Sequence, residues 1–197
     1  EGLSALFPGP YVHVGGDEAP KARWRECPRC AKRLEALGLK ADSPGLESLQ
    51  AWFMGRVGGL LAARGKRMLG WDEILDAGAA GPGTAAGPAA IPGDALVMSW
   101  RGYEGGAAGA RRGHGVVMCP QTKACYLDHK QADRPGEAGQ LGVCTLRDSW
   151  SFEPIPPGLG RVEEALILGG QGNLWSELMY SESVVEYMAF PRLCALA

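Results

Sequence analysis

The chain contains no apolar run of the roughly 18 residues that a membrane-crossing helix requires, so none of its 197 residues reads as a membrane segment. Neither sign of charge is in excess. Twenty Lys and Arg stand against 22 Asp and Glu, a net charge of −2. That balance excludes the basic footprint of a nucleic-acid binder and the acidic composition of a disordered tail. Residues 1–20 lack a basic start followed by an apolar stretch. Pro8, Pro10 and Asp17 interrupt them, so no signal peptide is visible there. Histidine is scarce, at three residues, and six cysteines are too few for a disulfide scaffold in a chain of this length. Cys27 and Cys30 form one CxxC, without the second pair or matched histidines of a four-ligand zinc site. They lie in an Arg-rich polar stretch rather than after a strand. Local structure is therefore the first reading, with zinc binding and thiol chemistry behind it. No metal and no cofactor are expected.

Five short β-rich runs are present: Tyr11–Val14, Lys66–Trp71, Ala95–Trp100, Gly115–Cys119 and Ala165–Gly170. Continuous apolar runs of this length suit strands buried on both faces, as in parallel sheets. Helical spacing appears between them, over residues 19–38 and 46–64, and again over Glu104–Arg112 and Ser181–Leu196, the last with a kink expected at Pro191. Strand and helix at this rhythm read as βαβ units. Gly78–Pro92 is a Gly/Ala/Pro-rich connector, and Asp128–Arg161 reads as a long loop of the kind that usually carries function.

The chemistry concentrates at strand ends. His13-Val-Gly-Gly-Asp-Glu18 runs a strand into two glycines and then two adjacent carboxylates. Successive side chains on a regular strand point to opposite faces. Aiming Asp17 and Glu18 into one site requires the backbone to leave strand geometry, which Gly15 and Gly16 permit. In a partly buried pocket two neighbouring carboxylates divide into one protonated and one ionised group, the requirement of an acid/base pair. Other runs end in aromatic and acidic residues: Trp71, Trp100, Tyr126 with Asp128, and Trp175 with Glu177. Sites of parallel α/β folds lie at the carboxyl ends of the strands. Aromatic rings for stacking and carboxylates for hydroxyls suit a sugar there.

His13-Val-Gly-Gly-Asp-Glu18, Gly70-Trp-Asp-Glu-Ile-Leu75, Met98-Ser-Trp-Arg-Gly102, Tyr126-Leu-Asp128 and Gly172-Asn-Leu-Trp-Ser-Glu177 resemble, in order, the motifs of the β-N-acetylhexosaminidases of glycoside hydrolase family 20. The resemblance covers nearly the whole chain, and the segment around Cys27 and Cys30 is similar to one in bacterial members. It implies an α/β fold, a partial (β/α)8 TIM barrel with about five C-terminal βα units. Residues 1–197 would then be the C-terminal portion of a single catalytic barrel, cut at both ends and inactive alone. It implies removal of terminal β-linked N-acetylhexosamine with retention, the substrate's 2-acetamido group acting as nucleophile. The resemblance makes Glu18 the general acid and base, and Asp17 the group orienting the acetamido N–H. It gives Tyr126 the acetamido oxygen, makes Trp71, Trp100 and Trp175 the pocket walls, and assigns hydroxyls to Asp128 and Glu177. His13 supports the Asp-Glu turn. The implied partner is an N-acetylhexosamine-containing oligosaccharide or glycoconjugate, and the family's habit points to a periplasmic or extracellular location. A disaccharide-releasing member and a non-catalytic sugar-binding remnant are the alternatives. Linkage, GlcNAc against GalNAc preference and oligomeric state are not legible.

Overall fold

Three residues of β-rich sequence suffice for the first strand because its partner supplies the other half of the ladder. A computed structural model describes residues 2–79, 91–122 and 124–197, in two compact units. The first unit is built from Glu1–Val97 with Gly113–Gly115. Helix α1 (Gly2–Leu6) leads to β1 (Tyr11–His13). Then come helices α2 (Ala22–Glu26), α3 (Pro28–Ala36) and α4 (Ser43–Ala62), followed by β2 (Arg67–Trp71). β1 and β2 pair in parallel, with Tyr11 opposite Arg67 and His13 opposite Leu69. A 3-10 helix, Asp72–Ala79, follows β2, and β3 (Leu96–Ser99) is β2's next neighbour. Most of the low-complexity connector expected over Gly78–Pro92 lies outside the described residues.

The helices differ from expectation in instructive ways. The single helix expected over 19–38 is two helices, α2 and α3. Cys27, extended at φ −79° and ψ 117°, separates them. Pro28 is the cause, because a residue before proline is driven out of the helical region while proline itself suits a first turn. α4 starts earlier than its apolar pattern, because Asp42 caps it by accepting the Gly45 N–H at 2.9 Å. Leu34, Leu46 and Leu49 of α3 and α4 form a buried cluster, flanked by Trp24, Cys30 and Trp52. Trp24 packs against this cluster.

The second unit comprises Met98–Arg112 and Val116–Ala197. It begins inside β3 and continues through α5 (Glu104–Arg111) and β4 (Gly115–Met118). The segment expected to be an irregular loop holds β5 (His129–Lys130) and β6 (Gln140–Val143), paired in parallel, and then α6 (Leu146–Trp150). α6 forms because Thr145 and Asp148 cap each other reciprocally, Thr145 N–H donating to Asp148 at 2.8 Å. α7 (Arg161–Glu164) leads into β7 (Ile167–Gly170), which pairs in parallel with β4 through Val116 and Ile167. In this unit β3, β4 and β7 are consecutive neighbours, and Cys119 N–H donates to Ser99 C=O at 2.9 Å. A second 3-10 turn, Ser176–Leu178, precedes α8 (Glu182–Ala189) and α9 (Arg192–Leu196). The kink expected at Pro191 is a full break between these two helices. Among the described residues no helix is long and apolar enough to cross a membrane.

Candidate active site

In the first unit the sheet ladder carries the chain to the edge of the site and then releases it. Val14 N–H donates to Leu69 C=O at 2.8 Å, and Trp71 N–H to Gly15 C=O at 3.0 Å. Gly15 (φ +69°) and Gly16 (φ +109°) then turn the backbone through conformations that side chains rarely adopt. Gly16 is also enclosed. A Cβ there would lie 2.7 Å from Ile74 Cγ2 and 2.9 Å from Met54 Cε. Gln50 of α4 ties the turn down, its amide donating to Gly16 C=O at 2.7 Å. Glu18 sits at φ +44°, and no other described non-glycine residue has positive φ.

This turn leaves the Asp17 and Glu18 side chains exposed on the surface of the first unit, rather than in the partly buried pocket that the sequence reading assumed. His13 Nδ1 accepts the Gly15 N–H at 3.1 Å, which bridges the strand end to the first glycine. Its ring meets Trp71 edge-on, centroids 4.9 Å apart. Packing of the ring lowers the His13 pKa, and the nearby Asp17 carboxylate opposes that shift. Trp71 and Asp72 are buried.

In the second unit Tyr126, Asp128, Trp175 and Glu177 come together. Tyr126 bridges in parallel to Asn173, with Leu127 N–H donating to Asn173 C=O at 2.8 Å and Asn173 N–H to Cys125 C=O at 2.6 Å. The Tyr126 ring lies 6.4 Å from Trp175 and 5.6 Å from His129. Burial pushes the Tyr126 hydroxyl up to about 12, so it stays protonated as a donor across the neutral range. Asp128 is buried and has its pKa raised, chiefly by desolvation. Its Oδ1 atom has no hydrogen-bond partner. Exposed Glu177 accepts from the Gln140 amide at 3.0 Å. Trp100 follows β3, half-buried, its carbonyl accepting from Gln121 N–H at 2.8 Å.

Sequence reasoning assigned no role to Gln50, Gln140 or Asn173. Asn173 lies inside a quoted motif, buried, with its Nδ2 unpartnered. Gln50 interrupts the apolar face of α4, and that single polar residue on a buried face was the available signal. Cys27 and Cys30 are free thiols, and among the described residues no group of three or more His, Cys, Asp or Glu side chains could hold a metal ion.

The full chain, residues 1–197, matches the model of the glycosyl hydrolase family 20 catalytic domain. The chain belongs to glycoside hydrolase family 20. Among its family 20 relatives, the beta-hexosaminidase of Porphyromonas gingivalis is 40% identical over 99% of this chain and 23% of its own. That of Vibrio furnissii is 31% identical over 100% of this chain and 30% of its own. The GH20 exo-β-N-acetylglucosaminidase of Vibrio harveyi, solved in complex with N-acetylglucosamine, superposes with a TM-score of 0.81 at 33% identity. It covers 99% of this chain, which spans 28% of that one. The family 20 chain thus spans about a quarter to a third of the length of these relatives.

Proposed function

We propose that this chain forms part of the catalytic barrel of a retaining exo-β-N-acetylhexosaminidase. Its substrates would be terminal β-linked GlcNAc or GalNAc residues of oligosaccharides or glycoconjugates. The parallel pairs β1–β2 in the first unit and β4–β7 in the second, with helices on the connections, fit the reading of about five βα units of one (β/α)8 domain. The observation that carries the reading is the Gly15–Gly16 turn, which takes two consecutive carboxylates off the end of a parallel strand and presents both outward.

In this reading Glu18 donates a proton to the departing glycosidic oxygen, then takes one from the attacking water. The substrate's acetamido oxygen forms the bond to the anomeric carbon as the glycosidic bond breaks, and water later opens the cyclic intermediate. Asp17 accepts the acetamido N–H and stabilises the positive charge that develops there. His13, bonded to Gly15 N–H, holds the turn. The protonated Tyr126 hydroxyl donates to the acetamido oxygen and keeps it in line. Trp71, Trp100 and Trp175 wall the pocket, and Asp128 and Glu177 accept sugar hydroxyls. The unpartnered Oδ1 of Asp128 supports that last role, because a buried acceptor left empty invites a donor.

The test separates acid catalysis from binding. In the full protein, Glu18→Gln should lose most activity on substrates with poor leaving groups and least on activated aryl glycosides, where departure needs little protonation. An equal loss on both would remove Glu18 from the acid's role.

A further inference from the structure

Arg192, the first residue of α9, is fully buried, yet among the described residues its guanidinium hydrogen-bonds to no carboxylate. Its guanidinium donates instead to backbone carbonyls. Nη1 reaches His129 C=O at 2.9 Å and Cys144 C=O at 2.7 Å, and Nη2 reaches Leu127 C=O and Met188 C=O. Two of those carbonyls belong to the residues immediately before and after Asp128. The other peptide groups of this stretch are held from elsewhere. Cys125 C=O accepts from Asn173, Tyr126 C=O from His129 N–H at 3.2 Å, and Asp128 C=O from Gln140 N–H at 2.8 Å. Every carbonyl from Cys125 to His129 therefore has a donor, and two of those donors come from Arg192 on α9.

Burying a guanidinium is costly, and a structural role alone would be met more cheaply by an apolar residue. What the charge does here is hold the Leu127 carbonyl of the peptide leading into Asp128 and the His129 carbonyl one peptide beyond it, while Gln140 N–H holds the peptide between them. A planar fork with donors at set angles performs that task better than a flexible ammonium. The side chain so fixed is buried and has one carboxylate oxygen without a partner.

We propose that Arg192 is a positioning residue for the sugar site: it locks the backbone on both sides of Asp128 so that Oδ1 meets a sugar hydroxyl. The proposal rests on the function proposed above, in which Asp128 accepts that hydroxyl.

A double-mutant cycle in the full protein tests it, with kcat/KM on an aryl 2-acetamido-2-deoxy-β-glucoside as the readout. Asp128→Ala should cost about tenfold or more, the scale of a hydrogen bond to a charged group. Arg192→Lys should cost a comparable factor in the parent background and little further in the Asp128→Ala background. Arg192→Gln, neutral and still a donor, should follow the same pattern, so either variant that folds completes the cycle. Against 4-deoxy and 6-deoxy analogues, the parent should discriminate strongly and Arg192→Lys weakly. A loss at Arg192 that is the same in both backgrounds, with discrimination intact, would overturn the positioning role. A parent that leaves the acetamido sugar uncut, or an Asp128→Ala variant as fast as the parent, would instead overturn the functional reading beneath it.

Discussion

Glu18 holds its side chain out on a left-handed backbone, a conformation that costs a non-glycine residue roughly 1–3 kcal/mol and persists only where its surroundings enforce it. The enforcement is visible two residues earlier. Gly16 is wedged between Ile74 and Met54 and fastened by Gln50. Gly16→Ala should therefore destabilise the protein by about 2–4 kcal/mol, combining backbone strain and overpacking, as read from urea unfolding midpoints. A change below about 0.5 kcal/mol, the scale of an indifferent surface substitution, would show that the turn is not held this way. Asp17→Asn should cost about 3–4 kcal/mol of transition-state stabilisation, measured as kcat/KM, by the scale of other fixed electrostatic groups. Unchanged kcat/KM would take Asp17 out of the mechanism. The two glycines were legible in the sequence, because a glycine pair before two carboxylates has few other uses. Gln50 and Asn173 were not, because their significance lies in which distant backbone each one meets.

The helices follow local chemistry more closely than apolar spacing. α4 begins where Asp42 caps it, and Asp42→Ala should cost about 1 kcal/mol of stability, measured by thermal or urea unfolding. The division of α2 from α3 at Cys27–Pro28 was available to the proline rule and was hidden by an apolar spacing that runs across it. The strands of the larger sheet were legible as continuous Val, Leu and Met runs. β5 and β6 were not, since two and four residues are too short to show a period. α6 had a Thr-x-x-Asp capping signature and could have been found from it. This stretch, expected as loop, is where Asp128, Gln140 and two of the four carbonyls gripped by Arg192, those of His129 and Cys144, lie.

Across the whole molecule, desolvation lowers the pKa values of buried His129 and of His13, whose ring packs on Trp71 but stays partly open to solvent. The unfolded chain therefore binds protons near the ordinary histidine pKa, where the folded chain does not. The stability these groups contribute is complete above that value and is lost as pH falls through it towards their folded values. Unfolding free energy should decline as pH falls through the ordinary histidine value of about 6.5, and His129→Gln should flatten the decline. A variant with an unchanged slope would contradict the assignment to His129. The family was legible because its motifs lie at strand ends in a fixed order, and the match over residues 1–197 agrees. The proposed reaction and substrate rest on Asp17, Glu18 and Tyr126 acting with the sugar's own amide. The measurement that tests this most directly is chromophore release by the full protein from an aryl 2-acetamido-2-deoxy-β-glucoside, beside the matching plain β-glucoside. Cleavage of the acetamido sugar alone is the expected result. Equal cleavage of both would mean that a protein carboxylate is the nucleophile, and would contradict it.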